Sequence, residues 1–337
     1  MNIKKKKRKN FPVGAKQMAL MTALCLCAFI LFACKGAEEP AKDGKYRVFC
    51  TVFPVYDWLK NVTADTTNIE LVLLDTHGAD LHSYQPTVSD MLSLAESDLV
   101  VYVGGESDKW VSDAVKNAGT DVKGLSLLDL LGDRVKAEET VEGMKTHTHE
   151  SHEQETDEPE NDEHVWLSVK NAAFLTEKLT AYLCAADRND AKVLQDAAEM
   201  YAARLEALDE AFGQTVKAAR LSFFLVADRF PFRYLADDYG LTYYAAFPGC
   251  SAESDAGFDT VIFLADKVDE YGLTHIAVTE STDGAVAHAV LENAEKKDVS
   301  VVTLDSMQSV SKADRENGKN YISVMEENLA ALGALLS

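Results

Sequence analysis

The chain has 337 residues, a formal net charge of −22 at pH 7, and 47% hydrophobic residues. This length predicts two domains of ordinary size, each able to bury a hydrophobic core. The acidic balance argues against nucleic acid and anionic lipid headgroups as partners, and it favours cations.

The N-terminus predicts a lipoprotein signal peptide. A basic run at residues 4–9 precedes the apolar segment Met18–Ala33, which has the length of a signal peptide's hydrophobic region and is short for a membrane span. The segment ends Leu-Phe-Ala-Cys, so we expect removal of residues 1–33, lipidation of Cys34 and a tether over residues 34–45. An uncleaved signal anchor is the alternative.

Residues 46–168 alternate between strand and helix patterns, which predicts a first lobe with a parallel sheet covered by helices. Helix starts are indicated by Pro54 in a first turn and by Thr87 as a capping residue. The predicted elements are strands Tyr46–Phe53, Ile69–Leu74 and Leu99–Val103, the helix Lys109–Asn117, and Leu125–Leu131 as the continuation of this unit.

Residues 137–163 interrupt the alternation with an acidic, histidine-rich run that has almost no aliphatic side chains. This composition predicts a mobile loop. His147, His149 and His152 supply imidazole nitrogens, which zinc and similar cations accept. We expect weak, transient metal binding there; a solvated loop without a role is the alternative.

Residues 169–219 contain two helical patterns, Val169–Ala186 and Asp190–Ala219. The second is long for a globular helix, and its apolar residues recur every three or four positions, so it predicts a rigid spacer. Residues 220–337 then predict a second lobe. Its expected strands are Leu221–Ala227, Leu241–Ala246, His275–Thr279 and Val299–Leu304, and its expected helices are Phe230–Tyr239, Phe258–Tyr271, Gly284–Lys297 and Asn317–Leu335.

The predicted fold class is therefore α/β, with two lobes, each a parallel sheet flanked by helices, joined by one long spacer helix. Ligands of open parallel sheets bind beyond the carboxyl ends of the strands, so two facing lobes place a site between them. Histidines and carboxylates stand at such positions, and their combination suits a divalent transition metal. The candidates are His82, His164, Asp228, Glu280 and Asp305.

Three cysteines remain beyond the signal peptide and the lipidation site, and their odd number and wide spacing argue against a disulfide framework. Cys50 and Cys184 lie in apolar strand and helix patterns, which favours the core. Cys250 lies in the loop Phe247–Ser251. It is either a metal ligand or a packing residue, and the packing role is favoured.

Three segments resemble the solute-binding lipoproteins of zinc/manganese-type metal ABC importers, especially their zinc-binding branch. They are Gly78–Asp90, Glu163–Leu167 and Leu304-Asp305. The resemblance covers nearly all of the chain beyond the signal peptide. It implies a receptor with two α/β lobes and a long connecting helix, which holds a metal between the lobes and passes it to a membrane permease.

The resemblance implies that His82 and His164 are the first two ligands and that Asp305 is the carboxylate ligand near the C-terminus. The family's usual third ligand is a histidine, and Arg229 takes its place here. Arginine cannot donate to a cation, so we expect the neighbouring Asp228 to substitute. Alternatively, Arg229 pairs with one of the candidate acids, Asp228, Glu280 or Glu253, and orients it. The alternatives for the third ligand are Glu280, Glu253 and water.

The function predicted from these features is an extracytoplasmic, lipid-anchored and monomeric metal receptor without catalytic activity. Zinc is the preferred metal because of the paired histidines and the histidine-rich loop, with manganese and iron(II) as alternatives. The expected partner is an ABC transporter permease. The alternative functions are a zinc hydrolase with an open coordination position and a surface adhesin of the same family.

Overall fold

The computed structural model describes residues 44–119, 121–144, 160–186, 190–250 and 256–337. The predicted signal peptide, Cys34, Glu253 and the three loop histidines lie outside these ranges. Lys45–Ser337 forms one compact unit. No helix within the described ranges has both the length and the apolar character that a membrane crossing needs.

The first lobe is a four-stranded, wholly parallel sheet in the order β2-β1-β3-β4, with helices in the connections. Its strands are β1 (Tyr46–Cys50), β2 (Ile69–Leu73), β3 (Leu99–Tyr102) and β4 (Lys123–Ser126), and its helices are α1 (Phe53–Val62), α2 (Val88–Ala95), α3 (Lys109–Ala118) and α4 (Leu127–Leu131).

The second lobe repeats this plan in the order β6-β5-β7-β8, again with parallel pairing only. Its strands are β5 (Phe223–Phe230), β6 (Thr242–Pro248), β7 (His275–Thr279) and β8 (Ser300–Leu304), and its helices are α7 (Arg233–Asp238), α8 (Phe258–Tyr271), α9 (Ala285–Asn293), α10 (Lys312–Glu316) and α11 (Tyr321–Leu335). The predicted fold class is confirmed.

Two helices connect the lobes: α5 (Val169–Ala186) and the 28-residue α6 (Ala191–Ala218). Helix α6 packs along α5 and also contacts α1 of the first lobe and α11 of the second. Its buried residues follow the predicted helical period. The long spacer helix therefore contacts helices from both lobes.

Several element boundaries differ from the predicted ones. Strand β5 continues to Phe230, so Asp228 and Arg229 lie inside the strand, next to an irregularity in its register with β6. The following helix begins only at Arg233, because Pro231 disfavours helical backbone at the residue before it. The predicted C-terminal helix Asn317–Leu335 begins only at Tyr321, because Gly318 has a non-helical φ of +94°; the short helix α10, which was not predicted, lies before it.

The ends of the predicted mobile loop belong to the folded body. Ala137 pairs with Asn161 in an antiparallel bridge. The amide of Glu138 donates to the carbonyl of Glu160 at 2.7 Å, and the amide of Asp162 donates to Lys136 at 2.8 Å. This pairing satisfies the backbone of both loop ends and holds the segment before His164 in place.

One hydrophobic core runs through both lobes, and a smaller cluster lies within the second lobe. Tyr321 of α11 ties the lobes together: its ring packs edge-on against Trp58 at 5.4 Å, and its amide donates to Asp57 at 3.0 Å. Its hydroxyl donates to the carbonyl of Trp166 at 2.7 Å. The second lobe's last helix therefore supports the segment that carries His164.

Candidate metal centre

His82 lies in a short 3₁₀ turn, Leu81–Ser83, which follows β2. Asp80 caps this turn: its Oδ1 accepts from the His82 amide at 2.9 Å. The cap fixes the backbone at the histidine, so the imidazole has a defined direction. Only 8% of the His82 side chain is exposed.

His164 lies where the chain leaves the predicted loop and enters the 3₁₀ turn Val165–Leu167. Its side chain is fully buried. Asp162 holds it twice, because Oδ1 accepts from the His164 amide at 2.8 Å and from ring Nδ1 at 3.0 Å. Trp166 packs edge-on against the ring at 5.6 Å and forms one wall of the site.

The two imidazoles face each other through their Nε2 atoms, which are 3.1 Å apart. Both Nδ1 atoms are engaged elsewhere, that of His82 with the hydroxyl of Ser107 and that of His164 with Asp162. In the tautomers in which each Nδ1 carries the proton and donates it to its partner, both Nε2 lone pairs are free. A hydrogen bond from the second ring nitrogen is the usual arrangement for metal-bound histidine.

Negative charge surrounds the pair of rings. Glu163 is buried, its Oε2 lies 4.0 Å from Nδ1 of His82, and its Oε1 accepts from the amide of Ser107 at 2.9 Å. Gly105 allows this approach, since a Cβ there would lie 2.3 Å from the Glu163 carboxylate. Two buried acids, Asp162 and Glu163, therefore favour a cation between the histidines.

The histidines differ in how readily they take up a proton. Burial, together with the neighbouring His164, lowers the pKa of His82 to about 4. Burial also opposes a charge on His164, but Asp162 outweighs it and raises the pKa of His164 above its usual value. At neutral pH His82 is therefore neutral and able to donate to a metal.

Cys250 completes a group of three ligand atoms. Its Sγ and one ring nitrogen each of His82 and His164 all lie within 4.8 Å of one another. The thiol is half-buried, and burial, followed by the nearby Glu138, raises its pKa. Glu138 also accepts a hydrogen bond from the Cys250 amide at 2.8 Å.

The turn that carries Cys250 packs directly on the site. A Cβ at Gly249 would lie 2.8 Å from the carbonyl oxygen of Phe230 and 3.1 Å from Cε1 of His164. Such separations are shorter than normal carbon contacts, so the absence of a side chain permits this approach. The second lobe thereby contributes backbone as well as a thiol to the site.

Arg229, in the position of the family's usual third histidine, forms an ion pair with Asp80. Its Nη2 lies 2.7 Å from Asp80 Oδ2. Burial opposes ionisation of Asp80, but Arg229 and then His82 keep its pKa below the usual value. Arg229 thus orients the acid that caps the His82 turn. Asp80 was not among its predicted partners, Asp228, Glu280 and Glu253.

The three predicted carboxylate ligands lie outside the converging group. Asp228 accepts from the hydroxyl of Thr279 at 2.5 Å. Glu280 accepts from the amide and hydroxyl of Ser306, both at 2.8 Å, and Asp305 accepts from Lys319 Nζ at 2.5 Å. The assignment of these carboxylates as ligands remains a prediction.

Sequence reasoning did not single out Ser107, Asp162 or Glu163 as contacts of the histidines. Asp162 and Glu163 directly precede His164, so a buried acid next to a ligand histidine was a usable signal. Ser107 follows β3 and reaches His82 only through the folded sheet, so no local pattern marks it.

A family model matches almost the whole described part of the chain. The model described as "ZnuA: Zinc-uptake complex component A periplasmic" matches residues 48–334. The chain belongs to this family. The resemblance inferred from the three motifs is therefore confirmed.

Relatives of the ZnuA family extend over most of the chain. The zinc-binding lipoprotein AdcA of Streptococcus pneumoniae is 31% identical over 319 residues, which cover 94% of this chain and 60% of AdcA. The high-affinity zinc uptake system protein ZnuA of Bacillus subtilis is 25% identical over 329 residues, which cover 94% of this chain and 97% of that protein. The chain thus spans about 60% of the length of AdcA.

A solved structure of this family has the same fold. The Zn(II)-bound ZnuA-like domain of Streptococcus pneumoniae AdcA superposes with a TM-score of 0.67 at 26% identity. The match covers 87% of this chain and 99% of that domain. Nearly the whole of that domain therefore has a structural counterpart in this chain.

Proposed function

We propose that this chain is an extracytoplasmic zinc receptor that binds one ion through His82 and His164 and delivers it to an ABC importer. The observation that carries the proposal is the pair of Nε2 atoms 3.1 Å apart, with each Nδ1 engaged by another side chain. Two nitrogens on one tetrahedral zinc, at about 2.0–2.1 Å from the metal, lie about 3.3–3.4 Å apart. The rings are close to that spacing already.

Zinc is favoured over manganese on chemical grounds. Imidazole nitrogens suit zinc, whereas manganese prefers carboxylate, carbonyl and water oxygens. The acids nearest the rings, Asp162 and Glu163, contact Nδ1 rather than Nε2. They therefore act on the imidazoles and supply negative charge without adding an oxygen ligand.

The transport role rests on the family. The family description names a zinc-uptake complex, and AdcA is named a zinc-binding lipoprotein. We propose that the chain is lipid-anchored through Cys34, acts as a monomer and docks on a membrane permease. Residues 1–33, 34–45, 46–168, 169–219 and 220–337 are the proposed signal peptide, tether, first lobe, helical connection and second lobe.

A hydrolase is a weaker proposal because the buried acids do not stand where a general base must. Zinc hydrolysis needs a carboxylate beside a metal-bound water. Asp162 and Glu163 are directed to the Nδ1 side of the rings, away from the converging Nε2 atoms. An adhesin function receives no specific support from the described residues.

The test is a competitive titration of the purified protein with zinc and manganese. We expect one tight equivalent of zinc, its loss in His82→Ala, and its retention in the control His288→Ala, whose side chain is 75% exposed. The proposal fails if the unchanged protein has no tight equivalent or if His82→Ala retains it.

A further inference from the structure

We propose that Cys250 is the third protein ligand of the metal and takes over the role of the histidine that Arg229 replaces. This inference rests on the proposed function, because it concerns the same site. It makes the coordinating set two imidazoles and one thiolate. The site would then differ from the family's usual histidine and carboxylate set.

Arg229 is held away from coordination. Its guanidinium pairs with Asp80 at 2.7 Å, and Asp80 in turn accepts from the amide of His82. Guanidinium has no lone pair to donate. The residue therefore supports the His82 turn from the second lobe and leaves one ligand position to be supplied by another side chain.

Strand pairing brings Cys250 to that position. In the second sheet Arg229 is opposite Phe247 and Phe230 is opposite Pro248, so the turn after β6 begins beside Arg229. Two residues farther along, Cys250 places Sγ within 4.8 Å of one ring nitrogen of each histidine. A sulfur and a nitrogen on one tetrahedral zinc are separated by about 3.5 Å, so Sγ and these nitrogens are at most little more than about 1 Å beyond that spacing.

The turn is held at the site by three contacts. Gly249 lies against the ring of His164 and against the carbonyl oxygen of Phe230. The amide of Cys250 donates to Glu138. Glu138 belongs to the segment that pairs with residue 160 just ahead of His164. The thiol and His164 therefore share one supporting framework, as preorganised ligands require.

Two of the acids predicted as ligands lie outside the converging group of ligand atoms. Asp228, the expected third ligand, accepts from Thr279 and from the amide of Arg229, and Asp305, the expected C-terminal ligand, accepts from Lys319. The ligand atoms that lie within 4.8 Å of one another belong to His82, His164 and Cys250. Cys250 is a free thiol, and so are the other two cysteines of the described ranges, Cys50 and Cys184.

A thiolate ligand has a consequence for selectivity. Soft thiolate favours zinc, cobalt(II) and related ions, whereas manganese binds better to oxygen ligands. We therefore expect the protein to bind zinc and cobalt(II) tightly and manganese weakly. Selectivity against manganese should decrease when the sulfur is removed.

The experiment is cobalt(II) substitution followed by absorption spectroscopy. Cobalt(II) bound by a thiolate gives a sulfur-to-metal charge-transfer band in the near ultraviolet, which nitrogen and oxygen ligands do not give. We expect the band in the unchanged protein and in Cys184→Ser, and its loss in Cys250→Ser. Circular dichroism and Tm of the metal-free variants verify that they fold.

Zinc affinity measured on the same proteins is the second readout. Loss of a direct ligand should cost Cys250→Ser more than the roughly 10–100-fold that removal of an outer partner costs. Cobalt(II) bound without the band, or a band that persists in Cys250→Ser, would overturn the thiolate ligand while the zinc receptor stands. No tight zinc or cobalt(II) in the unchanged protein would overturn the receptor itself.

Discussion

At the scale of single residues, the hydrogen bond that Nδ1 of His164 donates to Asp162 sets the orientation of the buried imidazole. Asp162→Asn keeps the shape of the side chain but removes its charge. Outer partners of metal-bound histidines typically contribute about 10–100-fold to affinity. We expect a loss of zinc affinity in this range, measured by competition with a chromogenic chelator.

The matched control for this substitution is Asp113→Asn. Asp113 lies on α3, and 69% of its side chain is exposed beside Lys116. Its substitution should leave zinc affinity unchanged, since an exposed pair contributes little. Equal affinities of Asp162→Asn and the unchanged protein would show that the Asp162 carboxylate does not support the site.

The raised pKa of His164 predicts how zinc binding depends on pH. A raised pKa in the folded, metal-free protein means that protonation stabilises that state at low pH, and that this stabilisation is lost as pH rises through the raised pKa. Zinc binds only the deprotonated ring, so its affinity should fall about tenfold per pH unit for each competing proton below that pKa. His82, with a pKa of about 4, does not contribute near neutrality, whereas the Cys250 thiol, whose pKa burial raises, also releases a proton if it binds the metal.

The measurement is the increase in Tm that zinc produces, at about pH 8 and about pH 6. We expect a clearly larger increase at the higher pH. An increase of the same size at both values would contradict a titrating ligand with a raised pKa. His288→Ala should follow the unchanged protein at both values.

Local sequence singles out His82 and His164, whose rings the fold brings together, because their flanking residues are distinctive. It leaves the third ligand open, because that question depends on contacts between distant segments. Thr279, Ser306 and Lys319 are the donors that engage the acids at the strand ends, and no local pattern reveals them. Cys250 joins the histidines only through the pairing of β5 with β6.

At the scale of elements, α6 connects the lobes through its buried face. Phe212 on this face is fully buried and stacks on Tyr239 with ring centroids 5.4 Å apart. Truncation of a buried phenylalanine to alanine typically costs about 3–5 kcal/mol. We expect Phe212→Ala to lower the free energy of unfolding by about this amount, measured by urea denaturation.

Met200→Ala is the control on the same helix. Met200 is 65% exposed, so its truncation should change the free energy of unfolding by about 0.5 kcal/mol or less. Zinc affinity of the folded protein should be retained in both variants, because neither residue contacts the histidines. A small effect of Phe212→Ala would contradict the packing role of this helix face.

Most elements were predictable because periodicity and strand composition are local properties. The exceptions are places where one residue changes the backbone: Pro231 delays α7 and Gly318 separates α10 from α11. Strand order, unlike the elements themselves, could not be predicted from local sequence. The orders β2-β1-β3-β4 and β6-β5-β7-β8 depend on long-range pairing, which alternation alone does not define.

At the scale of the whole molecule, the core that runs through both lobes limits how the site can open. Tyr321 links α11 to α1 and to the segment of Trp166, so a large hinge motion would break buried contacts on both sides. Small movements of the turns around the site cost less. We therefore expect metal uptake to involve the Cys250 turn more than a rotation of whole lobes.

The three loop histidines lie between the paired loop ends in the sequence, so their role can be tested by replacing that segment. His147, His149 and His152 lie within residues 145–159, whereas the bridge between Ala137 and Asn161 lies outside that range. Replacing residues 145–159 by a short Gly-Ser linker should preserve the bridge, since loop closure changes by only about 0.6 kcal/mol for each doubling of length. The tight zinc equivalent should be retained, and weaker additional equivalents should be lost.

A Gly-Ser segment of the full original length is the control that separates length from composition. Both replacements should have the zinc affinity of the unchanged protein in competitive titration, and both should lack the weak equivalents. If both lost the tight equivalent, the loop histidines would have to be ligands of the main site. If only the short linker lost it, the pairing of the loop ends would be the requirement, because that pairing holds Asp162 and Glu163 beside the two histidines.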